Sequence, residues 1–304
     1  MPFSEEPDTG RFTETFVQEV RALILDRVAG KRLSDTQAQS LCSLAAGKML
    51  RTRFAARLFW ASREYERMAL VQRACAATEL VHTASLLHDD IIDNASIRRS
   101  QPTLWKMRGA NYAVLMGDLL YCEALSMLLA EENRHIASRF VENVHEICVA
   151  EIKQELVCRE KTPDVPTYVA MVRGKTGPLF GFLGRVCGGA DAGLSAALEE
   201  AGYCTGTAYQ LTDDLLDATG SEEAAGKTLG TDALRKKATL AGGLQQDGNE
   251  PLEPLIASAI KSAVTALEKW PGYQNGIAEF FAKDLGPVIR KTGAGTRLTE
   301  EAAA

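Results

Sequence analysis

The chain has 304 residues, a net charge of −6, 46% hydrophobic residues and 24% charged residues. This composition is typical of a globular protein, and the negative charge argues against nucleic acid or an anionic membrane as the main partner. No apolar run approaches the roughly 18 residues of a membrane-spanning helix, and the first residues lack an export signal. Seven cysteines without CxxC spacing are typical of a reducing compartment, so we expect a cytoplasmic protein with no transmembrane segment.

Apolar residues recur at intervals of three and four nearly throughout the chain, which predicts helices. In chain order, the predicted helices are Phe12–Val28, Thr36–Trp60, Tyr65–Ile92, Tyr112–Ala130, His135–Val157, Tyr168–Val186, Gly193–Ala218, Leu252–Trp270 and Ile277–Ile289. Glycine- and proline-containing turns separate them, and we find no alternating strand pattern of useful length. We therefore predict one all-α domain over residues 1–304, with frayed tails at 1–10 and 292–304 and with site residues that project into a helix-bundle interior.

A cluster of aspartates lies near the end of the third predicted helix: Asp89, Asp90 and Asp93, with two isoleucines in the gap. Carboxylates four residues apart share a helix face and repel, and apolar surroundings disfavour their charged form. The cluster therefore predicts a bound cation. Arg98 and Arg99 follow about one turn later and suit phosphate oxygens. The alternative is a solvated helix end with local Asp–Arg pairs.

The same spacing recurs in the seventh predicted helix, at Asp213, Asp214 and Asp217, followed by Lys227 and Lys237. A charged helix end or a calcium-like surface loop would also explain one such cluster, but the repeat favours a functional pair. Mg²⁺ is normally shared between a few carboxylates and substrate phosphates. Two such faces turned toward each other would form a site for several Mg²⁺ ions and a polyphosphate.

Two smaller features add positive charge. Lys48 and Arg51 are three residues apart on one helix face, which suits an anion that carries no metal. Lys175 and Thr176 precede Gly177-Pro178, a predicted helix break where a lysine and a hydroxyl can reach phosphate. Each feature alone also fits ordinary protein surface.

Taken together, the motifs resemble those of the trans-isoprenyl diphosphate synthases, or polyprenyl synthetases. The resemblance covers roughly residues 40 to 240. It rests on the two aspartate-rich regions with their flanks and on an N-terminal G-K-x-x-R pattern, namely His82–Asp93 with Arg98–Thr103, Gln210–Asp217 with Gly226-Lys227, and Gly47–Arg51. Gly117-Asp118 and Lys175-Thr176 also occur in the expected order.

This resemblance implies an all-α fold of long antiparallel helices around a deep central cavity, usually in a homodimer. It implies Mg²⁺-dependent, head-to-tail condensation of isopentenyl diphosphate with an allylic diphosphate: dimethylallyl, geranyl or farnesyl diphosphate. The product would be a linear all-trans polyprenyl diphosphate, and about three Mg²⁺ ions would act in each active site.

The resemblance also implies roles for individual residues. The Mg²⁺ ligands would be Asp89, Asp93 and Asp213, supported by Asp90, Asp214 and Asp217. The allylic diphosphate would be held by Arg98, Lys175, Thr176, Gln210, Lys227 and Lys237. Isopentenyl diphosphate would be held by Lys48, Arg51, His82 and Arg99. The catalytic residues would be Asp89, Asp93, Asp213 and Lys175.

The sequence departs from the family pattern in several places. Ala46, Ser100 and Lys236 stand where the family usually has glycine. After Leu240 the chain is about one helix shorter than the usual form, so we expect a different cover over the site.

Product length is predicted from the residues just before the first aspartate cluster. In this family those positions help to set the depth of the cavity. Here they are the small residues Ala84 and Ser85, with Val81 one turn deeper. We therefore expect a product of C20 or longer.

Two other functions remain open at this point. A class I terpene cyclase also ionises an allylic diphosphate, but its second metal motif would read N-D-x-x-S-x-x-x-E in place of Asp213–Asp217. A non-catalytic or regulatory subunit of a heteromeric prenyl synthase would normally lack one or both aspartate clusters, and both are intact. The shortened C-terminal region keeps this second alternative open.

Overall fold

A computed structural model describes residues 8–29, 47–129, 134–157, 163–219 and 252–290. Its α-helices are α1 (Thr9–Ala29), α2 (Leu50–Ser62), α3 (Met68–Ile92), α4 (Leu104–Arg108), α5 (Ala110–Leu128), α6 (Arg134–Val157), α7 (Val165–Gly188), α8 (Ala192–Thr219), α9 (Leu252–Thr265), α10 (Pro271–Glu279) and α11 (Gly286–Ile289). A 3₁₀ turn, Tyr65–Arg67, precedes α3, and a π-helix, Phe280–Leu285, joins α10 to α11. The predicted all-α class is confirmed.

Several predicted boundaries differ from those observed. Helix α1 begins at Thr9, three residues before the predicted start at Phe12. Helix α7 continues through Pro178 instead of breaking there. A hairpin of two short antiparallel strands, β1 (Ile97–Arg98) and β2 (Gln101–Pro102), was not predicted because two residues per strand leave no alternating pattern. The described ranges do not include the start of the predicted helix Thr36–Trp60, the C-terminal tail, Lys227 or Lys237.

Helix α3 carries the first aspartate cluster, and its end is set locally. The backbone N–H of Asp93 still donates to the carbonyl oxygen of Asp89, at 2.6 Å. Asn94 then adopts the left-handed region with a φ of 49°. Asparagine tolerates this conformation better than most residues, and it commonly ends a helix. The chain can therefore turn back into the hairpin that carries Arg98 and Arg99.

Helices α7 and α8, which carry Lys175 and the second aspartate cluster, pack unusually closely. A Cβ added at Gly206 of α8 would lie 2.7 Å from the Cα of Gly177 on α7. A Cβ added at Gly202 would lie 2.4 Å from the carbonyl oxygen of Phe180. Backbone atoms thus meet where side chains would otherwise separate the helices. This contact fixes the position of the two helices relative to each other about two turns before Asp213.

An aromatic core joins the N-terminal and C-terminal parts of the described structure. The ring of Phe54 on α2 lies edge-on to Phe180 of α7 at 5.4 Å and to Phe280 of the π-helix at 5.6 Å. All three side chains are fully buried, and such edge-to-face pairs stabilise a core beyond the area that they bury. Within the described ranges, we find no helix that is long and apolar enough to cross a membrane.

A buried ion-pair network lies beside this core. Arg57 of α2 donates from Nε to Asp284 at 2.9 Å and from Nη1 to Glu279 at 2.8 Å. The side chains of Arg57 and Asp284 are 4% and 5% exposed. Arg53 contacts Asp284 as well, at 3.3 Å. The network therefore ties α2, which carries Arg51, to the C-terminal helices.

Candidate active site

A cavity of about 690 Å³ opens among helices α2, α3, α5, α6, α7 and α8. It brings together most of the site residues that the sequence predicts, namely Lys48, Arg51, Val81, His82, Ser85, Asp89, Asp93, Arg98, Arg99, Lys175, Thr176, Gln210, Asp213, Asp214 and Asp217. Two predicted residues within the described ranges, Ala84 and Asp90, are not among its lining residues. The two aspartate clusters thus face one common space, as expected.

The acidic clusters are held in a poorly solvated environment. Burial raises the pKa of Asp89 to about 6, with Lys175 acting in the opposite direction and Glu151 in the same direction. Burial also raises the pKa of Asp214 to about 6, partly opposed by hydrogen bonds from Tyr168 and Gln210. A cation close to such a carboxylate would stabilise its charged form, which burial disfavours. These aspartates are therefore suited to bind metal ions.

Asp90 differs from its neighbours because it faces away from the cavity. Arg98 donates from Nε to Oδ1 of Asp90 at 2.7 Å, and Asp90 is 1% exposed. Its other carboxylate oxygen is buried and has no hydrogen-bond partner among the described residues. Adjacent helix residues are about 100° apart, so Asp89 and Asp90 cannot share a direction. Asp90 therefore holds Arg98 in place, and the structure does not bring it to the cavity wall as a metal ligand.

Thr176 and Gln210 form a relay of hydrogen bonds that ends on Asp214. Thr176 donates to Oε1 of Gln210 at 2.8 Å, and Nε2 of Gln210 donates to Oδ1 of Asp214 at 2.9 Å. The hydroxyl of Tyr168 donates to the other oxygen of Asp214. The Thr176 proton and one Gln210 N–H are therefore used to orient Asp214. For the diphosphate-binding role predicted for this pair, the remaining Gln210 N–H is the donor that is left.

Lys175 projects from α7 into the acidic part of the cavity and pairs with a carboxylate that the sequence analysis missed. Its Nζ lies 2.7 Å from Oε1 of Glu151 on α6. Burial opposes the charge of Lys175, but the nearby carboxylates of Glu151 and Asp89 raise its pKa above the usual value. Lys175 is therefore a fixed positive charge among the aspartates.

The raised pKa of Asp89 predicts a pH-dependent stability effect in metal-free protein. An aspartate in the unfolded chain titrates near 4, so a folded-state value of about 6 means that ionisation costs stability. The cost reaches about 3 kcal/mol above pH 6 and fades as the pH falls from 6 toward 4. We expect Asp89→Asn to melt at a higher temperature than the wild type at pH 7.5 and at nearly the same temperature at pH 4.5, both in EDTA. An equal difference at both pH values would contradict this.

The opposite part of the cavity is basic. Lys48, Arg51 and Arg99 line it, and Arg51 is 8% exposed with its Nε unpaired among the described residues. Burial, with the charges of Arg51, Arg99 and Arg98, holds the pKa of His82 well below its usual range, so the ring is neutral at physiological pH. A buried guanidinium beside an open cavity is suited to an anionic ligand.

Glu79 is the acidic counterpart in this basic part. Its Oε1 accepts from the hydroxyl of Thr52 at 2.9 Å, and its charge acts on both Arg51 and Arg99. Glu79 and Glu151 were missed because each is a single carboxylate without a repeated spacing. A charged residue inside an otherwise apolar helical run was the available signal for Glu79. Glu151 is followed by Lys153, Gln154 and Glu155, so its run gave no such signal.

The hairpin turn places Arg99 in this basic part of the cavity. Arg99 and Ser100 both have positive φ, 50° and 59°, as a two-residue turn between antiparallel strands requires. Glycine satisfies that requirement without steric cost, which explains why the family pattern usually has glycine where this chain has Ser100. The Arg99 guanidinium packs directly on Gly47, since a Cβ there would lie 2.6 Å from Nη2.

An apolar wall continues the cavity beneath the first aspartate cluster. Val81 and Ser85 of α3 line it, together with Tyr121, Val144, Ile147 and Cys148. Ala84 is fully buried in the hydrophobic core instead, because it lies about 100° around the helix from Ser85. The predicted lining role of Ala84 therefore does not match the structure.

The donor set fits Mg²⁺ shared with a substrate. Among the described residues, no group of three or more His, Cys, Asp or Glu side chains is close enough to hold an ion alone. Asp89 and Asp93 instead line one side of the cavity, and Asp213 and Asp217 line another. Mg²⁺ typically takes one or two carboxylates and completes its coordination with water and substrate phosphates. The arrangement suits that pattern better than an all-protein metal site.

Comparison with known proteins decides the family. A family model described as "Polyprenyl synthetase" matches residues 34–263. The chain belongs to this family. The family predicted from the motifs is therefore confirmed, and the matched range includes both aspartate clusters and the G-K-x-x-R pattern.

Relatives and solved structures within the family agree with this. Geranylgeranyl diphosphate synthase of Mycobacterium tuberculosis is 36% identical over 172 residues, which is 54% of this chain and 49% of that protein. Heptaprenyl diphosphate synthase component 2 of Geobacillus stearothermophilus is 32% identical over 256 residues, 82% of this chain and 74% of that protein. The first alignment thus spans about half the relative's length. A polyprenyl synthase from Caulobacter crescentus, crystallised with calcium and isoprenyl diphosphate, shares the fold with a TM-score of 0.77 at 22% identity, over 93% of this chain and 96% of that one.

Proposed function

We propose that the protein is a Mg²⁺-dependent trans-prenyltransferase, which condenses isopentenyl diphosphate head-to-tail with an allylic diphosphate. The observation that carries this proposal is the division of one cavity into two halves. One half combines both aspartate clusters with Lys175, whose charge interacts with Asp89 and Asp214. The other combines Lys48 with Arg51 and Arg99, whose charges act on His82. A metal-bound diphosphate fits the first half, and a diphosphate held by side chains fits the second.

In the acidic half, Asp89, Asp93 and Asp213 would hold Mg²⁺, and Asp217 and the oriented Asp214 would support them. Bound Mg²⁺ would supply stabilisation of the negative charge on a departing diphosphate. Arg98, held by Asp90, and Lys175, held by Glu151, donate hydrogen bonds to the same group. Both cations are already in position, so little reorganisation is needed when the allylic carbon–oxygen bond breaks.

In the basic half, Arg51, Arg99 and Lys48 bind the diphosphate of isopentenyl diphosphate, and neutral His82 supplies a hydrogen bond. This holds the isopentenyl double bond toward the allylic carbon. The double bond attacks the allylic cation, a new carbon–carbon bond forms, and the released diphosphate accepts the proton that is lost. The surrounding helices exclude water, which would otherwise trap the cation.

We further propose a product of C20 or longer. The small residues Val81 and Ser85 support this, because they leave the apolar wall beneath the first cluster open. The two relatives reported above, which are named geranylgeranyl and heptaprenyl diphosphate synthases, also support it.

Ser85→Phe is therefore expected to shorten the product, because the ring would enter the cavity one turn below Asp89. Val81→Phe, one turn deeper, is expected to give a product longer than that of Ser85→Phe but shorter than that of the wild type. Chromatography of dephosphorylated products measures both. Ala84→Phe is the contrasting variant, since it would overpack the core and cost about 1–3 kcal/mol of stability. An unchanged product from Ser85→Phe would show that this wall does not contact the growing chain.

A homodimer is part of the proposal. Several apolar and cysteine side chains are exposed on the neighbouring helices α5 and α6 or directly after α5. They are Leu115, Cys122, Leu129, Val141, Cys148, Ile152 and Leu156. An apolar surface of this extent suggests an interface between proteins. Light scattering at micromolar concentration tests for a mass of two chains. The cytoplasmic location predicted from the sequence stays a prediction.

The direct test is incubation of the purified chain with Mg²⁺, isopentenyl diphosphate and, separately, dimethylallyl, geranyl and farnesyl diphosphate. We expect linear polyprenyl diphosphates with at least one primer and none in EDTA. Cyclic hydrocarbons would instead indicate a terpene cyclase.

A subunit of a heteromeric synthase is the second candidate, favoured by one observation. The Geobacillus relative is named component 2 of its synthase. Both intact aspartate clusters favour a catalytic rather than a regulatory role in either case. If the chain alone binds diphosphates but condenses none of the three primers, the heteromeric reading becomes the better one.

A further inference from the structure

Arg21 lies on α1, outside residues 34–263 that match the family model, and contacts the segment that leads into the basic half of the cavity. Its Nη2 donates to the carbonyl oxygen of Gly47 at 2.8 Å, and its Nε donates to Sδ of Met49 at 3.0 Å. The two contacts span residues 47–49, which we call the anion loop. Arg21 therefore forms hydrogen bonds to both ends of the loop that carries Lys48.

The anion loop has a conformation that needs external support. Met49 has φ 49° and ψ 46°, in the left-handed region, and no side chain caps the first turn of α2 behind it. A bulky residue in this region costs about 1–2 kcal/mol, and such strain persists only where surrounding contacts enforce it. Arg53 provides a second contact, from Nε to the carbonyl oxygen of Lys48 at 3.1 Å. Two guanidinium groups therefore hold successive carbonyls of the loop.

The position of a second cation in the basic half depends directly on the position of the anion loop. The guanidinium of Arg99 lies against the Cα of Gly47, so closely that a Cβ would lie 2.6 Å from Nη2. Arg51 lies in the first turn of α2, two residues after Met49. A shift of the anion loop would therefore displace Lys48, Arg51 and Arg99 together.

We propose that Arg21 is a positioning residue for the diphosphate bound without metal, and this rests on the function proposed above. Arg21 does not reach the ligand itself, since it is absent from the cavity lining. It sets the geometry of three cations that do line the cavity or enter it. The allylic diphosphate depends on groups of α3, α7 and α8 and on Arg98, which Asp90 of α3 holds at 2.7 Å. The hydrogen bonds of Arg21 go to Gly47 and Met49 instead, so we expect the allylic affinity to be independent of Arg21.

The test is steady-state kinetics of Arg21→Ala with each substrate varied in turn. We expect KM for isopentenyl diphosphate to rise about tenfold, with KM for the allylic primer unchanged within twofold and kcat reduced less than threefold. Arg21→Lys should recover part of the affinity, because a single ammonium can contact Gly47 but cannot span both partners. Arg11→Ala, an exposed arginine on the same helix, is the matched control and should behave as the wild type.

A binding measurement on metal-free protein separates this inference from the proposed function. Inorganic diphosphate titrated into the protein in EDTA should bind about tenfold more weakly to Arg21→Ala than to the wild type or Arg11→Ala, whether or not the chain condenses isoprenoids. Unchanged affinity and KM in Arg21→Ala would overturn the inference. An equal rise of KM for both substrates, together with a lowered melting temperature, would also overturn it by showing a merely structural role. Failure of the wild type to condense any primer would instead count against the proposed function alone.

Discussion

Replacing Asp89 or Asp213 with asparagine is expected to lower kcat for condensation about 10³-fold while the protein stays folded. Each carboxylate lines the cavity from a different helix, α3 or α8. In the proposed function, each shares Mg²⁺ with the leaving diphosphate. An amide keeps the shape of the carboxylate but loses its charge. Loss of a metal's charge stabilisation is worth several kcal/mol in the transition state, and 4 kcal/mol corresponds to about 10³ in rate. Single-turnover assays with saturating Mg²⁺ measure this step.

The control for this experiment is Asp26→Asn, which makes the same chemical change at an exposed position on α1. It should leave kcat and KM unchanged. Raising Mg²⁺ tenfold should partly restore Asp89→Asn if the loss is one of metal affinity. A variant at either aspartate that retains a rate within tenfold of the wild type would show that its carboxylate is not needed for ionisation.

Arg57→Ala is expected to have the largest effect on stability, a loss of about 3 kcal/mol in the free energy of unfolding. It removes the main partner of Asp284, whose side chain is only 5% exposed, and leaves that carboxylate with the longer contact to Arg53. Breaking a buried pair by removing one member typically costs about 3–5 kcal/mol, because the other charge stays buried. Because Asp284 keeps its contact with Arg53, we expect a loss of stability at the lower end of this range. Denaturant titration, read by circular dichroism, measures the loss.

Lys283→Ala is the matched control, since Lys283 pairs with Glu279 at 3.4 Å but is 52% exposed. Exposed pairs contribute about 0–1 kcal/mol, so this variant should unfold close to the wild type. The double variant Arg57→Met, Asp284→Leu should recover much of the loss, because an apolar pair avoids the burial of charge. If Arg57→Ala unfolds within 0.5 kcal/mol of the wild type, water reaches Asp284 more freely than its burial suggests.

Much of the fold and of the candidate site could be predicted from the sequence because the relevant signals are local. Helical periodicity predicted nine helices, and each overlaps a helix of the described ranges, although the start of Thr36–Trp60 lies outside them and the short helix α4 was not predicted. The repeated aspartate spacing identified the two clusters. The sequence also predicted that Lys48 and Arg51 share a helix face, which is wrong: α2 begins at Leu50 and Met49 is left-handed, so Lys48 lies in the loop before the helix. Both residues nevertheless line the cavity. The sequence-based predictions that were wrong or missing also have local causes. Pro178 predicted a break that α7 does not make, and the two-residue strands of the hairpin left no pattern to detect.

The sequence by itself determined the helical class, the family and the chemical character of the site, because these depend on residue type and spacing along one element. Only the tertiary structure decided which groups meet. It turned Asp90 toward Arg98 and Ala84 into the core, and it placed Glu151 on Lys175. It also brought Arg21 to the anion loop, 26 residues further along the chain at Gly47. Such contacts join different helices, strands and loops, and a single sequence carries no record of the distance between them.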